Sequence, residues 1–80
     1  MSLEKLRKQV DLTDQKIVRL LNERARIIMD VARQKHRSGE SIYVPQRERQ
    51  VLEKIAAANN GPLPASALQA IYREIMSASL

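Results

Sequence analysis

The chain is 80 residues long, carries a formal net charge of +5 and contains no cysteine. A single core of this size is marginal, because it buries only about 60% of the surface of the unfolded chain. Disulfide bridges and thiolate metal sites are excluded, and the lone His36 cannot hold a zinc ion by itself, so oligomerisation is the remaining way to supplement the core.

The composition indicates an all-α protein, because helix-forming residues are abundant and glycine occurs only 2 times. No apolar run approaches the ~20 residues of a membrane span, and the first residues lack the apolar core of a signal peptide. We therefore expect a cytoplasmic protein with no membrane partner. The basic residues are interleaved with acidic ones and have no aromatic stacking platform, which argues against nucleic acid as a partner.

The first predicted helix is unusually long. Ser2 is a plausible N-cap, and a 3.6-residue pattern runs from there to about Arg37, where Ser38 and Gly39 supply a stop. Such a helix is ~50 Å long, which exceeds the diameter of a compact domain of this size. Its apolar stripe contains Leu3, Leu6, Val10, Thr13, Ile17, Leu20, Leu21, Ile28 and Val31. The rest of the chain is too short to cover this stripe, so we predict a homodimer in which the long helices pack together.

Two shorter helices are predicted in the second half. A loop over 39–44 leads to Pro45, which suits the first position of a helix that ends near Asn59 to Gly61. Pro62 and Pro64 then separate this helix from a third, which runs from about Ala65 to the C-terminus. Its inward residues are predicted to be Leu68, Ile71, Tyr72, Ile75 and Met76. We find no internal repeat or linker and expect one domain over residues 1–80.

Three charged residues occupy positions that an amphipathic helix normally gives to apolar ones. Arg24 and Lys35 fall within the stripe of the first helix, and Glu48 lies at the centre of the apolar stripe of the second. Burying a charge costs several kcal/mol unless it is paired or meets a ligand. The pattern therefore indicates either an internal salt-bridge network or a polar cavity for an anion.

The spacing of the cations favours a small ligand with two negative ends. Arg24 and Lys35 are separated by ~16 Å along the helix axis, so long side chains could grip both ends of a dianion. Arg7 lies at the edge of the stripe, ~25 Å from Arg24, and cannot serve that ligand in the same chain. If two long helices cross antiparallel near Val18, Arg7 of one chain falls between Arg24 and Lys35 of the other. Two equivalent sites would then form, each from both chains.

Each of these residues also has a simpler interpretation. Arg24 or Lys35 could pair with Glu48 in a structural bridge, and Glu48 could merely complement the helix dipole. Arg7 could be a surface residue that pairs with a nearby carboxylate at helical spacing. Arg47 is equally compatible with a surface role, and Ser79 is unremarkable on pattern alone.

A set of short motifs extends along essentially the whole chain. They are Leu6-Arg7, Asp11, Asp14, Ile17, Leu20-Leu21-Asn22-Glu23-Arg24-Ala25, Val31-Ala32, Lys35, Tyr43-Val44-Pro45-Gln46-Arg47-Glu48, Gly61-Pro62-Leu63 and Ile71-Tyr72-Arg73-Glu74-Ile75-Met76-Ser77. Their combination resembles the all-helical chorismate mutases, and its specificity lies in the combination rather than in any single motif. The resemblance is greatest to mutase domains that begin bifunctional prephenate dehydratases or are fused to the first enzyme of the shikimate pathway.

The resemblance implies an intertwined dimer of three-helix chains that rearranges chorismate to prephenate for aromatic amino acid biosynthesis. It implies that Arg7 reaches the partner's site, that Arg24 grips a substrate carboxylate, and that Lys35 binds a carboxylate and the ether oxygen. Glu48 would accept a hydrogen bond from the ring hydroxyl, and Arg47 would border the site. Ser79 matches a position that touches the carboxylate on the ring.

The chain departs from the family pattern at two places. Val44 stands where relatives usually carry an aspartate before the proline, which removes a side-chain cap and leaves only main-chain contacts at that substrate-binding position. The glutamine or glutamate that relatives place four residues after the Ser79 position falls beyond Leu80. We expect weakened activity from a chain without that group.

Two other functions fit parts of the sequence. An isochorismate pyruvate lyase shares the scaffold and a cationic cavity, although Glu48 suits the hydroxyl of chorismate better. A non-catalytic dimerisation or nucleic-acid-binding module would instead use cations of the solvent face, namely Lys8, Arg19, Arg26 and Arg33. The mutase reaction needs no nucleophile, metal or redox cofactor, and the sequence offers none.

Overall fold

The computed structural model describes residues 2–41 and 44–79, and within these ranges the regular secondary structure is α-helical and no strand is found. Three helices follow one another: α1 over Leu3–Ser38, α2 over Pro45–Ala58 and α3 over Ala65–Ala78. The all-α prediction is confirmed, and the predicted helix limits are correct to within one or two residues. The predicted loop over 39–44 and the end of the third helix lie partly outside the described residues. No helix in the described part is long and apolar enough to cross a membrane.

Both ends of α1 are fixed by capping. The Ser2 hydroxyl accepts a hydrogen bond from the Lys5 amide at 3.2 Å, as the sequence predicts for an N-cap. At the other end Gly39 adopts a left-handed conformation with φ 74°, and its N–H donates to the His36 carbonyl. The Glu40 amide donates to the Lys35 carbonyl at 2.9 Å, which completes a Schellman motif. These caps hold the last turn of α1, where Lys35 lies.

The turn between α2 and α3 is organised by one asparagine. The Gly61 amide donates to Asn59 Oδ1 at 2.9 Å, and Asn59 Nδ2 donates to the Leu63 carbonyl at 2.7 Å. Gly61 has φ 71°, a conformation that glycine adopts without a steric penalty. The side chain of Asn59 therefore closes the turn and reverses the chain direction.

The packing between α2 and α3 is the main tertiary contact within the chain. Both helices direct half-buried apolar residues towards each other, including Leu52, Ile55 and Leu68. Gln69 Nε2 also donates to the Leu52 carbonyl at 3.2 Å, which fixes the register of the pair. Ile71 is 49% exposed in the single chain, so its predicted inward orientation stays a prediction for the dimer.

Helix α1 extends far beyond the other two helices. The molecule measures 55 × 23 × 16 Å, and its radius of gyration is 15.9 Å, against about 12 Å for a compact domain of this length. None of the described residues is fully buried. The accessible surface is 6803 Å², about 1,900 Å² more than expected for a compact protein of this mass. The apolar stripe of α1 contributes to this excess accessible surface, since Val10 is 57% exposed and Ile17 is 48% exposed.

We expect Gly39→Ala to lower the free energy of unfolding by about 1 kcal/mol, because a side chain at positive φ is strained. A β-carbon at Gly39 would meet no atom within 4 Å, so the effect is purely conformational. Urea unfolding followed by circular dichroism at one fixed protein concentration measures it. Gly39→Asn is the matched control and should cost less, since asparagine tolerates this conformation. Equal stability of Gly39→Ala and the parent chain would contradict the capping role.

Candidate functional site

The three charges predicted to point inward differ in exposure from all other charges of the described chain. Arg24, Lys35 and Glu48 are half-buried, whereas every other lysine, arginine, aspartate and glutamate within residues 2–41 and 44–79 is exposed. Helical periodicity therefore identified the charges that the fold withdraws from water. Two of them lie on α1 and the third lies on α2.

Arg24 has the most restricted environment of the three. Its guanidinium carbon lies 5.8 Å from the centre of the Tyr72 ring on α3, within the range of a cation–π interaction. Its Nη1 atom is buried and has no hydrogen-bond partner. A buried donor without a partner is energetically costly, because the bonds it made to water are not replaced. The Arg24 guanidinium therefore has a donor that no described residue satisfies.

No carboxylate of the described residues neutralises the half-buried cations. The ion pair found among the described residues joins Arg33 to Asp30 at 2.8 Å, and both of these side chains are exposed. The structural bridge between Glu48 and Arg24 or Lys35 is thus absent within one chain. An arginine with free donors is suited to a carboxylate, whose two oxygens match the guanidinium fork.

Lys35 lies near the C-terminus of a helix, and Glu48 lies near the N-terminus of the next helix. Lys35 is in the last turn of α1, where its carbonyl accepts from the Glu40 amide at 2.9 Å and from the Ser38 hydroxyl at 3.1 Å. Glu48 is in the first turn of α2, and its amide donates to the Val44 carbonyl at 3.4 Å. Both charges have the sign that complements the helix dipole at their positions. Their side chains make no hydrogen bond to other described residues.

The N-cap of α2 is the half-buried Val44, which makes no side-chain capping bond, as the sequence predicts. Its carbonyl accepts from the Arg47 amide at 2.9 Å. The Arg47 side chain is exposed beside the half-buried Glu48. This end of α2 therefore presents one charge of each sign close together.

Ser79 lies at the C-terminal end of α3 and is half-buried. Its hydroxyl donates to the Ile75 carbonyl at 3.0 Å, so its oxygen keeps the capacity to accept from a further group. Ser79 borders an open groove of about 370 Å³ between α1 and α3, which is lined by Leu21, Asn22, Ala25, Glu74, Ile75, Ala78 and Ser79. Ser79 is the one predicted site residue in this lining, and Arg24, Lys35 and Glu48 lie outside it.

Arg7 is exposed in the second turn of α1. The straight helix places it ~25 Å from Arg24 along the axis, so the two side chains do not meet within one chain. The other six predicted residues lie in the half of the molecule that holds α2, α3 and the second half of α1. The ligand-binding roles of all seven residues stay predictions.

The contact between Tyr72 and Arg24 was not predicted from the sequence. Tyr72 was predicted to be a core residue on the inward face of α3, although its aromatic face lies towards the cation of α1. The available signal was that Tyr72 is one of 2 tyrosines in a chain without phenylalanine or tryptophan, on the same face as other inward residues.

Comparison with known proteins supports the resemblance in the sequence. Residues 6–80 match the family described as chorismate mutase type II. The bifunctional chorismate mutase/prephenate dehydratase of Aquifex aeolicus is 45% identical over 98% of this chain and 23% of its own length. The corresponding Pseudomonas aeruginosa protein is 42% identical over the same shares.

A solved structure of chorismate mutase (form I) from Thermus thermophilus superimposes with a TM-score of 0.95. It is 37% identical, and the match covers 98% of each chain. The chain spans about a quarter of the length of the curated bifunctional relatives it matches, 23% in both cases. In sequence and in helical architecture, this chain belongs to the chorismate mutase type II family.

Proposed function

We propose that this chain is a chorismate mutase domain that rearranges chorismate to prephenate as a homodimer. The observation that carries the proposal is the half-buried Arg24, whose Nη1 is withdrawn from water and has no acceptor among the described residues. Chorismate is a dianion with two carboxylates and could supply the missing acceptor. The reaction is inferred from membership of the chorismate mutase type II family.

The dimer is supported by the surface that one chain leaves uncovered. The surplus of about 1,900 Å² per chain corresponds to about 3,800 Å² for a pair, within the range of obligate homodimers. Many of the exposed apolar residues of α1 lie on its apolar stripe, which a second α1 helix can cover. Pairing of these stripes would bury Val10, Ile17 and Leu20, which are 57%, 48% and 60% exposed in the single chain.

The proposed site combines residues of both chains. Arg24 binds one substrate carboxylate, and Arg7 of the partner subunit reaches the same region if the α1 helices cross antiparallel near Val18. Lys35 lies towards the end of α1 and binds the other carboxylate and the ether oxygen. Glu48 accepts a hydrogen bond from the ring hydroxyl, while Val44, Arg47 and Ser79 border the substrate.

The reaction is an intramolecular rearrangement, so the substrate neither gains nor loses atoms. The ether carbon–oxygen bond breaks while a new carbon–carbon bond forms, and negative charge builds on the ether oxygen as its bond lengthens. Arginine contacts at the carboxylates hold the flexible substrate in the compact conformation that brings the reacting carbons together. The Lys35 ammonium stabilises the developing charge on the oxygen, where a preorganised donor typically contributes ~3 to 4 kcal/mol.

The composition predicts a cytoplasmic location, and a mutase whose substrate is a small metabolite fits that prediction. We further propose that residues 1–80 act as one mutase domain, whatever the full extent of the protein to which they belong.

We expect a particle of about twice 9.1 kDa in sedimentation at micromolar concentration, because the α1 stripe needs a partner. Val10→Glu should shift the particle to monomer or unfold it, since a carboxylate in the covered stripe loses its hydration. Leu12→Glu is the matched control: Leu12 is also 57% exposed but lies about 200° away around the helix. A folded monomer of the parent chain would refute the dimer.

We expect the parent protein to convert chorismate to prephenate, and Arg24→Ala and Lys35→Ala to lower kcat/KM by at least about a hundredfold. The reason is that each variant removes a cation from the ligand site. Steady-state kinetics with chorismate measure the loss, and circular dichroism should show that both variants remain folded. Arg24 and Lys35 have no carboxylate partner among the described residues, so removing either cation leaves no carboxylate without its partner.

Arg26→Ala is the matched control for Arg24→Ala, because Arg26 is exposed on α1 two residues further on. Its kinetics should equal those of the parent protein. Unfolding of the dimer by Arg24→Ala would favour a structural role for that cation. Turnover of isochorismate in preference to chorismate would identify a lyase and refute the mutase proposal.

We expect a mixture of inactive Arg7→Ala and inactive Lys35→Ala proteins to regain activity. Each mixed dimer contains one site with both substitutions and one with neither, provided that Arg7 acts across the interface. Random exchange makes about half the dimers mixed, so recovery should approach ~25% of parental activity per site. Exchange is demonstrated separately with chains of different mass. No recovery after proven exchange would show that Arg7 does not complete the partner's site.

A further inference from the structure

We propose that Tyr72 is a positioning residue for substrate binding, because its ring holds the Arg24 guanidinium in place before the substrate arrives. This inference rests on the proposed mutase function and adds a residue to which neither the sequence pattern nor the family resemblance gave a role. The two side chains come from different helices, and their contact spans 48 positions of the sequence.

The geometry suits a cation held by an aromatic face. The guanidinium carbon of Arg24 lies 5.8 Å from the ring centre, just inside the ~6 Å limit for a cation–π interaction. Both residues are half-buried, so water screens the attraction less than at a fully exposed site. An arginine in contact with a ring face can keep the N–H groups at its edge free for a carboxylate. The buried, unpartnered Nη1 is a donor of this kind.

The contact with Tyr72 reduces the conformational entropy that the Arg24 side chain loses on substrate binding. A free arginine side chain samples many rotamers, and a ligand that immobilises it loses affinity in proportion. Because Tyr72 already restricts the Arg24 side chain in the free protein, less side-chain entropy remains to be lost when the substrate binds. The ring itself is held through its helix, since Gln69, one turn earlier on α3, donates to the Leu52 carbonyl of α2 at 3.2 Å.

The alternative is that Tyr72 only fills space between α1 and α3. The two roles differ in which part of the side chain matters. A positioning role depends on the aromatic face, which phenylalanine retains and leucine lacks. A space-filling role depends on apolar volume, which leucine largely supplies.

The test compares the parent protein with Tyr72→Leu and Tyr72→Phe in steady-state kinetics with chorismate. We expect Tyr72→Leu to lower kcat/KM about two- to fivefold, almost entirely through a higher KM. The reason is that the Arg24 contact is made with bound substrate as well as with the transition state. Tyr72→Phe should remain close to the parent. Tyr72→Met removes the ring with a more adaptable side chain and should repeat the KM effect if Tyr72→Leu fails to fold.

A double-mutant cycle shows whether Tyr72 acts through Arg24. In an Arg24→Gln background, Tyr72→Leu should change kcat/KM by less than about 1.5-fold, because the cation that it positions is gone. The same fold-change in both backgrounds, or a fall in kcat with KM unchanged, would overturn the positioning role. An inactive parent protein would refute the proposed function itself, whereas an active parent with an unaltered Tyr72→Leu variant would refute only the role of Tyr72.

Discussion

The length of α1 is the constraint from which the rest of the structure follows. It is a single helix of 36 residues in a chain of 80, capped at both ends and uninterrupted by proline or glycine. The other two helices have 14 residues each and pack mainly on one another. They leave most of the α1 stripe in contact with solvent, so the chain has no fully buried residue in its described part. The proposed dimer would complete the core.

The same stripe carries Arg24 and Lys35, so the proposed dimer interface and the proposed ligand site would share one surface. A partner helix can cover Val10 and Ile17 favourably. Apolar groups placed over Arg24 and Lys35 would instead remove two unpaired charges from water, which costs free energy. The stripe is therefore divided by chemistry: its apolar part suits protein and its cationic part suits an anion. Tyr72 reinforces this division, because it shields one face of Arg24 from water while leaving a buried donor without an acceptor.

Sequence reasoning succeeded where the information is local. Capping by Ser2 and Gly39 and the proline at the start of α2 fixed the helix limits, and periodicity alone selected Arg24, Lys35 and Glu48 as the half-buried charges. It failed where two helices meet. The contact of Tyr72 with Arg24 depends on how α3 approaches α1. Helical periodicity specifies which face of a helix is apolar, but not what covers it.

A site divided between two chains would also make binding and assembly thermodynamically inseparable. If Arg7 of the partner subunit contacts the ligand, the free energy of that contact exists only in the dimer. By linkage, the ligand then strengthens dimerisation by the same factor by which dimerisation strengthens ligand binding. The N-terminal half of α1 has little to pack against in its own chain, so such coupling would give this segment two roles at once. It would supply the apolar surface of the interface and a cation to the site of the partner subunit.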